Sequence, residues 1–156
     1  MEEKLLAIAD EVIALSASNE QIEVIAVHDQ ETDIRVYKGE LESFTASESQ
    51  GVGIRVIQDG RQGMAYAGSL DMEILKETLS EARDNATFGT FDEMLQIAEP
   101  DNIEPISLDL YNPALKEFAT ENKIALAKEL EKYIIQSDER IVGVESSEYV
   151  DSISAS

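Results

Sequence analysis

The stretch Gly51-Val52-Gly53-Ile54-Arg55-Val56-Ile57-Gln58-Asp59-Gly60-Arg61-Gln62-Gly63-Met64-Ala65-Tyr66-Ala67 decides the fold. Val52, Ile54 and Val56 alternate with Gly53, Arg55 and Ile57. A period of two with β-branched residues on one side predicts a strand with one covered and one open face. Asp59-Gly60 tolerates the positive φ that a tight hairpin turn requires, so Gln62–Ala67 returns as the next strand. A connection this short allows only antiparallel pairing.

Working upstream, Glu40–Ser49 reads as a strand joined to Asp33–Tyr37 across Lys38-Gly39. Before them a strand begins at Gln21, with Ile22, Val24, Ala26 and His28 on one face and Glu23, Ile25, Val27 and Asp29 on the other. The chain opens with a helix from Glu2 to about Ala17, whose apolar residues recur at spacings of three and four. Downstream, Asp71 is placed to cap a helix running to about Ala86 through Ile74, Leu75, Thr78, Leu79 and Ala82. Phe88–Asn112, with Gly89, Pro100 and Pro105, reads as a long connection anchored by Leu108 and Leu110. Pro113 opens a turn. Thr120 caps a last helix to about Gln136, with Ile124, Ala127, Leu130 and Ile134 inward. A strand pattern restarts at Ile141-Val142-Gly143-Val144 and continues through Tyr149–Ser154. The expectation is a two-layer α+β fold: an antiparallel meander of short strands with helices on one face. Residues 1–140 form a single domain in this reading, and 141–156 begin the next strand region. A terminal strand with no partner exposes an edge, so the 156 residues read as a fragment of a longer protein.

Composition narrows the function. Apolar residues make up 43% and charged residues 29%, values that suit one globular domain. Against 33 acids stand 12 bases, a net charge of −21 with His neutral. Direct binding to a nucleic-acid backbone rests on Lys and Arg displacing counterions, and this balance opposes it. With no cysteine, disulfides, thiol catalysis and thiolate metal sites are excluded. The start Met1-Glu2-Glu3-Lys4 is acidic, unlike a signal peptide. The apolar run Leu5–Ala9 is far shorter than the ~20 residues of a spanning helix. The expectation is a cytoplasmic protein without membrane contact.

Five pieces in order carry a resemblance. They are Arg35-Val36-Tyr37-Lys38-Gly39-Glu40-Leu41-Glu42, Ser47-Glu48-Ser49-Gln50-Gly51-Val52-Gly53-Ile54-Arg55-Val56, Asp59-Gly60-Arg61-Gln62-Gly63-Met64-Ala65, Asp109-Leu110-Tyr111-Asn112-Pro113 and Ser137-Asp138-Glu139-Arg140-Ile141. Together they resemble the amino-terminal domain of the TldD/PmbA family, and the late segment is closer to the PmbA (TldE) branch, also called modulators of DNA gyrase. The resemblance implies a subunit of an intracellular zinc metalloprotease that processes unfolded peptides. It implies a dimer, either with a TldD-like partner chain or with a second copy. It places the zinc motif, H-E-x-x-x-H with a further Cys, in the carboxy-terminal half of the TldD branch. Zinc is thus expected in the full-length protein or its partner and not in these residues.

The residues agree that chemistry lies elsewhere. A catalytic zinc needs three protein ligands and an open position for water, whereas this chain has His28 as its single histidine. His28 reads as a strand-end side chain. Ser43, Ser47, Ser49, Ser146 and Ser147 sit in no strand-to-helix nucleophile elbow and read as strand and turn surface. Gly51-Val52-Gly53 lacks the third glycine and the following helix of a phosphate loop. Gly51 is read as a turn or bulge and Gly53 as room for a close approach. Arg55, on the open face, pairs either with Glu42 or Glu48 across the sheet or with a carboxylate of a partner or peptide. Arg61 is read as solvated.

Ser49, Gly53, Arg55 and Tyr66 are the candidate partner- or peptide-binding residues. No catalytic and no metal-binding residue is expected. The proposed role is a wall of a cavity that admits extended chains, to which a peptide adds as a strand. The rival role is an acidic interaction module that modulates DNA gyrase without proteolysis.

The acidic surplus admits three readings: solubility, a surface for basic peptides or partners, and nucleic-acid mimicry. Glu77, Glu81, Glu129 and Glu131 are expected on helix exteriors, a dispersion that fits the first. Screening should weaken acid–acid repulsion more than the few ion pairs. Raising sodium chloride to about 0.3 M, where the Debye length falls well below its ~10 Å at 0.1 M, is expected to raise the melting temperature. A steady fall in melting temperature with salt, followed by circular dichroism, would contradict this.

Overall fold

Two tight turns organise the sheet. Lys38 (φ 52°) and Gly39 (φ 78°) link strand β1 (Glu20–Tyr37) to strand β2 (Glu40–Gln58). Asp59 (φ 50°) and Gly60 (φ 67°) link β2 to strand β3 (Arg61–Ala67). Positive φ at both central residues gives the twist that matches paired strands. The structure is a computed structural model describing residues 1–99, 103, 106, 108 and 110–156. The strands form one sheet in the order β3-β2-β1-β4, where β4 is Ser147–Ala155.

The short strands expected from sequence are thus pieces of longer ones. Gln30-Glu31-Thr32 and Gln50-Gly51 contain no residue that must leave the extended region, and Gly51 does not take a positive φ. Gly51 makes no turn, being part of β2; a Cβ there would lie 3.2 Å from the Ala67 carbonyl oxygen. The last strand lies later than expected. Ile141–Val144 has no strand structure and Val142 is exposed, whereas Ser147–Ala155 pairs beside β1. The fold is α+β, an antiparallel sheet with helices packed on one face in each of two compact units. These are Met1–Asp29 with Ser49–Pro105 and Ser154–Ser156, and Gln30–Glu48 with Ile106–Ile153.

In the first unit, helices α1 (Glu2–Ile13) and α2 (Met72–Thr87) cover the sheet. Leu5, Ile8 and Val12 of α1 and Leu75, Leu79 and Ala82 of α2 pack with Val52, Ile54, Val56, Ala65 and Ala26. Full burial of each large aliphatic is worth about 1.5–3 kcal/mol, so this cluster dominates the unit's stability. Helix α1 is shorter than its pattern suggested. Beyond Ile13 the chain is drawn away: the Glu20 carboxylate accepts the Ala17 amide at 2.8 Å, and Arg83 donates to Leu15 O at 2.9 Å. Arg83 grips the same carboxylate with Nε at 3.0 Å, and its hydrogen bonds hold Glu20 below the usual carboxylate range. Asp71 caps α2 as expected, with its carboxylate accepting from Glu73 N at 2.9 Å and Ile74 N at 3.4 Å.

Helix α2 lies directly on β3. A Cβ on Gly63 would collide with the Ala82 carbonyl and the Ala86 amide, so only glycine permits this approach. Arg61 is not merely solvated, because its guanidinium donates to the Gly89 carbonyl. The connection after α2 returns over the hairpin, with Asp92 N donating to Gly60 O at 2.8 Å and Ile97 N to Gln21 Oε1 at 2.9 Å. Leu108 and Leu110 do not anchor it, since they are 65% and 85% exposed. Pro100, Pro105 and Asp109 lie outside the described residues.

In the second unit, Asn112 caps the short helix α3 (Pro113–Glu117), and Pro113 takes its first position. Helix α4 (Thr120–Ser137) has Ala119, not Thr120, at its N-cap, without a side-chain cap. Its apolar core is small: Ile34, Val36 and Ala127, flanked by Ile124 and Tyr149. The buried stripe of α4 is Lys123, Ala127 and Glu131, while Leu130 is exposed. The pattern failed there because two charged side chains have inward partners. Lys123 Nζ meets Asp151 Oδ2 at 2.6 Å, and Tyr149 donates to the same carboxylate at 2.9 Å. Burial alone pushes the Asp151 carboxyl up; the Lys123 and Tyr149 hydrogen bonds outweigh it and leave it lowered.

Glu131 is 2% exposed, not on the helix exterior. Its two oxygens accept the Lys38 amide at 2.7 Å and the Gly39 amide at 2.5 Å. A lysine at positive φ is costly, and these two hydrogen bonds secure the turn. Ser147 is also buried rather than on the surface.

Replacing Glu131 with Gln leaves one acceptor where two amides donate. The expected loss is about 1–3 kcal/mol in urea denaturation. A loss no larger than that of Glu129→Gln, on the exposed side of α4, would show that the clamp does not hold the turn.

Candidate functional site

The face of the first unit's sheet opposite α1 and α2 is uncovered. It exists because strand alternation sends Val52, Ile54 and Val56 toward the helices and their neighbours the other way. The register sets Gly53 opposite Tyr66 and Arg55 opposite Met64 across β2 and β3. With Glu23, Ile25 and Val27 of β1 they line a mostly apolar groove of about 300 Å³. Ile25 is 58% exposed, Met64 45% and Tyr66 71%. Three neighbouring large apolar side chains this open form a contact surface rather than scattered exposure.

Gly53 leaves the space that Tyr66 uses, because a Cβ there would lie 3.4 Å from the ring. Arg55 lies half-buried in the groove, donating from Nε to Glu23 Oε2 at 2.8 Å. One end of its guanidinium reaches Gln62 Oε1 at 3.5 Å. Arg55 therefore makes the expected type of cross-strand pair, but with Glu23; Glu42 instead meets Arg35 at 2.9 Å. The guanidinium is tethered at one edge and keeps donors toward the groove, an arrangement suited to a carboxylate or carbonyl.

Three of the four residues singled out from sequence, Gly53, Arg55 and Tyr66, share this groove. Ser49 is exposed on β2 and is not among the lining residues. Sequence reading missed Ile25, Val27 and Met64. The signal was available: β1 alternation places Ile25 and Val27 beside Glu23, so apolar residues occupy a face expected to be open.

His28 lies within β1 and is 7% exposed. Among the described residues, no three of His, Asp and Glu come together as a metal cluster. A zinc ion with three protein ligands does not fit these described residues. A further cavity of about 320 Å³ in the second unit includes Lys123 and Asp151, but these two charges neutralise each other. Among the described residues no helix is long and apolar enough to cross a membrane.

The sequence profile of "PmbA/TldA metallopeptidase domain 1" matches residues 22–86, which hold all of β2 and β3 and the whole groove. Residues 22–86 are similar to that domain. The chain is 27% identical to the metalloprotease PmbA of Escherichia coli O157:H7 over 113 residues, 71% of this chain and 25% of that protein. Its fold matches a Thermotoga maritima protein described as a modulator of a DNA gyrase, with TM-score 0.79 and 20% identity, over 96% of this chain and 33% of that one. It also matches TldE from Thermococcus kodakarensis, with TM-score 0.70 and 20% identity, over 97% of this chain and 32% of that one. The chain thus spans a quarter to a third of the length of these relatives.

The glycines and charges of this matched stretch have local reasons. Asp59-Gly60 makes the turn, Arg61 fastens Gly89 and Gly63 admits α2. In the late segment, Arg140 holds the Asp138 carboxyl down to about 2 through a two-pronged contact just after α4.

Because Tyr66 has little packing to lose, Tyr66→Ser is expected to shift unfolding free energy by no more than about 0.5 kcal/mol in urea melts. A loss above about 2 kcal/mol would mean that the face is covered within this chain.

Proposed function

We propose that this chain is the amino-terminal, non-catalytic domain of a PmbA/TldD-like metallopeptidase subunit acting in the cytoplasm. In this reading the groove around Arg55 and Tyr66 is a contact face. It seats either a TldD-like partner chain or a second copy, and helps wall a cavity that admits unfolded peptides. Zinc and the water it activates belong to the carboxy-terminal half of the protein or to the partner. The observation that carries the reading is an open apolar face with one tethered guanidinium inside the family-matched segment. An exposed apolar patch is costly to leave in water and marks a surface made for contact.

A second reading draws on the names of two related structures, from Thermotoga maritima and Bacteroides thetaiotaomicron, both described as modulators of DNA gyrase. In it the same face docks on a gyrase subunit and no peptide is cut. The two readings separate in one experiment. The full-length protein with Ile25→Asp and Tyr66→Asp is compared with the unaltered protein. Peptide cleavage and subunit co-purification are expected to fall at least tenfold, while the circular dichroism spectrum stays unchanged. Retained cleavage and assembly would sink the proposal. Unaltered protein that binds a gyrase subunit and cleaves no peptide with any partner would favour the second reading.

A further inference from the structure

Two hydrogen-bond donors flank a sulfur atom in the groove of the first unit. Met64 is 45% exposed on β3, and the Tyr66 hydroxyl donates to its Sδ at 3.8 Å. A thioether is a weak acceptor, and the hydroxyl has no stronger partner among the described residues. Arg55 is the register partner of Met64, which sets the two side chains beside each other on the groove face. Arg55 commits Nε to Glu23 at 2.8 Å and reaches Gln62 with Nη1 at 3.5 Å. Its Nη2 meets no acceptor among the described residues. Met94 and Met1 are more open, at 78% and 57% exposed, yet among the described residues neither sulfur receives a hydrogen bond.

These donors suit an oxygen-transfer step at the sulfur. When hydrogen peroxide meets a thioether, a sulfur lone pair attacks one peroxide oxygen and the O–O bond breaks. The attacked oxygen's proton passes to the departing oxygen, which leaves as water. The sulfur loses two electrons, the peroxide gains them, and a sulfoxide remains. Negative charge grows on the departing oxygen, where a phenolic O–H and a guanidinium N–H stabilise it. The sulfoxide oxygen is a strong acceptor and takes the same two donors. We propose that Met64 is a peroxide-modified site, converted to its sulfoxide ahead of the more exposed methionines. The new oxygen sits among Ile25, Val27 and Tyr66, so the face loses its apolar character and releases what it seats, and reduction of the sulfoxide restores it. The release rests on the reading of this groove as a contact face; the oxidation does not.

The 156-residue chain is treated with hydrogen peroxide, and the sulfoxide at each methionine is followed by peptide mass spectrometry. Met64 is expected to oxidise about threefold faster than Met94, against the order of their exposure. Tyr66→Phe keeps the ring and removes the hydroxyl, and is expected to abolish that lead. Oxidation of Met64 no faster than Met94, or a lead that Tyr66→Phe leaves intact, would overturn the proposal. In the full-length protein, co-purification of the second subunit is expected to fall about fivefold after peroxide and to return on treatment with methionine sulfoxide reductase. In Met64→Leu, co-purification is expected to be the same before and after peroxide. Assembly that persists after complete oxidation of Met64 would overturn the release. If Ile25→Asp with Tyr66→Asp then breaks assembly, the contact face stands without the switch; if that pair also has no effect, the contact face itself is wrong.

Discussion

The Asp59-Gly60 turn fixes which side of β2 and β3 meets the helices. A strand's side chains repeat every two residues, so a slip of one residue would send Val52, Ile54 and Val56 into water and Arg55 under α2. Positive φ at both turn residues admits one twist and sets Gln58 opposite Arg61. The buried cluster follows from that register, and so does the groove on the other face. Gly63 adds a second constraint, because it is the place where α2 reaches the backbone of β3.

The two units spend their charged residues differently. In the first, charged pairs lie at margins: Glu20 with Arg83 beside a loop, Glu23 with Arg55 in the open groove. In the second, a small apolar core is completed by ions. Lys123 with Asp151 and Glu131 with two turn amides occupy positions that aliphatic residues would fill in a larger core. A buried pair of this sort is weak support for stability in itself, but removing one partner leaves an uncompensated charge. The second unit is therefore more sensitive to single charge removals than the exposed acids elsewhere.

The chain's acidic balance leaves few basic side chains, and Arg55 is the one set in the groove. The first unit's sheet carries a shallow, mostly apolar face on the side away from its helices. Among the described residues no three of His, Asp and Glu gather as a metal cluster.

Local pattern determined a good deal by itself. Alternation gave the strands around Gly51–Ala67, Asp-Gly and Lys-Gly gave the turns, and Asp71 gave a helix start, because each depends on neighbours within a few residues. The five ordered pieces carried the resemblance. Tertiary structure decided what depends on partners far along the chain. It joined the strands, since extended structure continues through Gln30–Thr32, where no local signal forces a break. It turned Glu131 inward, because the amides that need its oxygens lie some ninety residues earlier. It gave Arg55 to Glu23 rather than to Glu42 or Glu48, because side-chain pairing across a sheet follows register, and register is a property of the assembled strands.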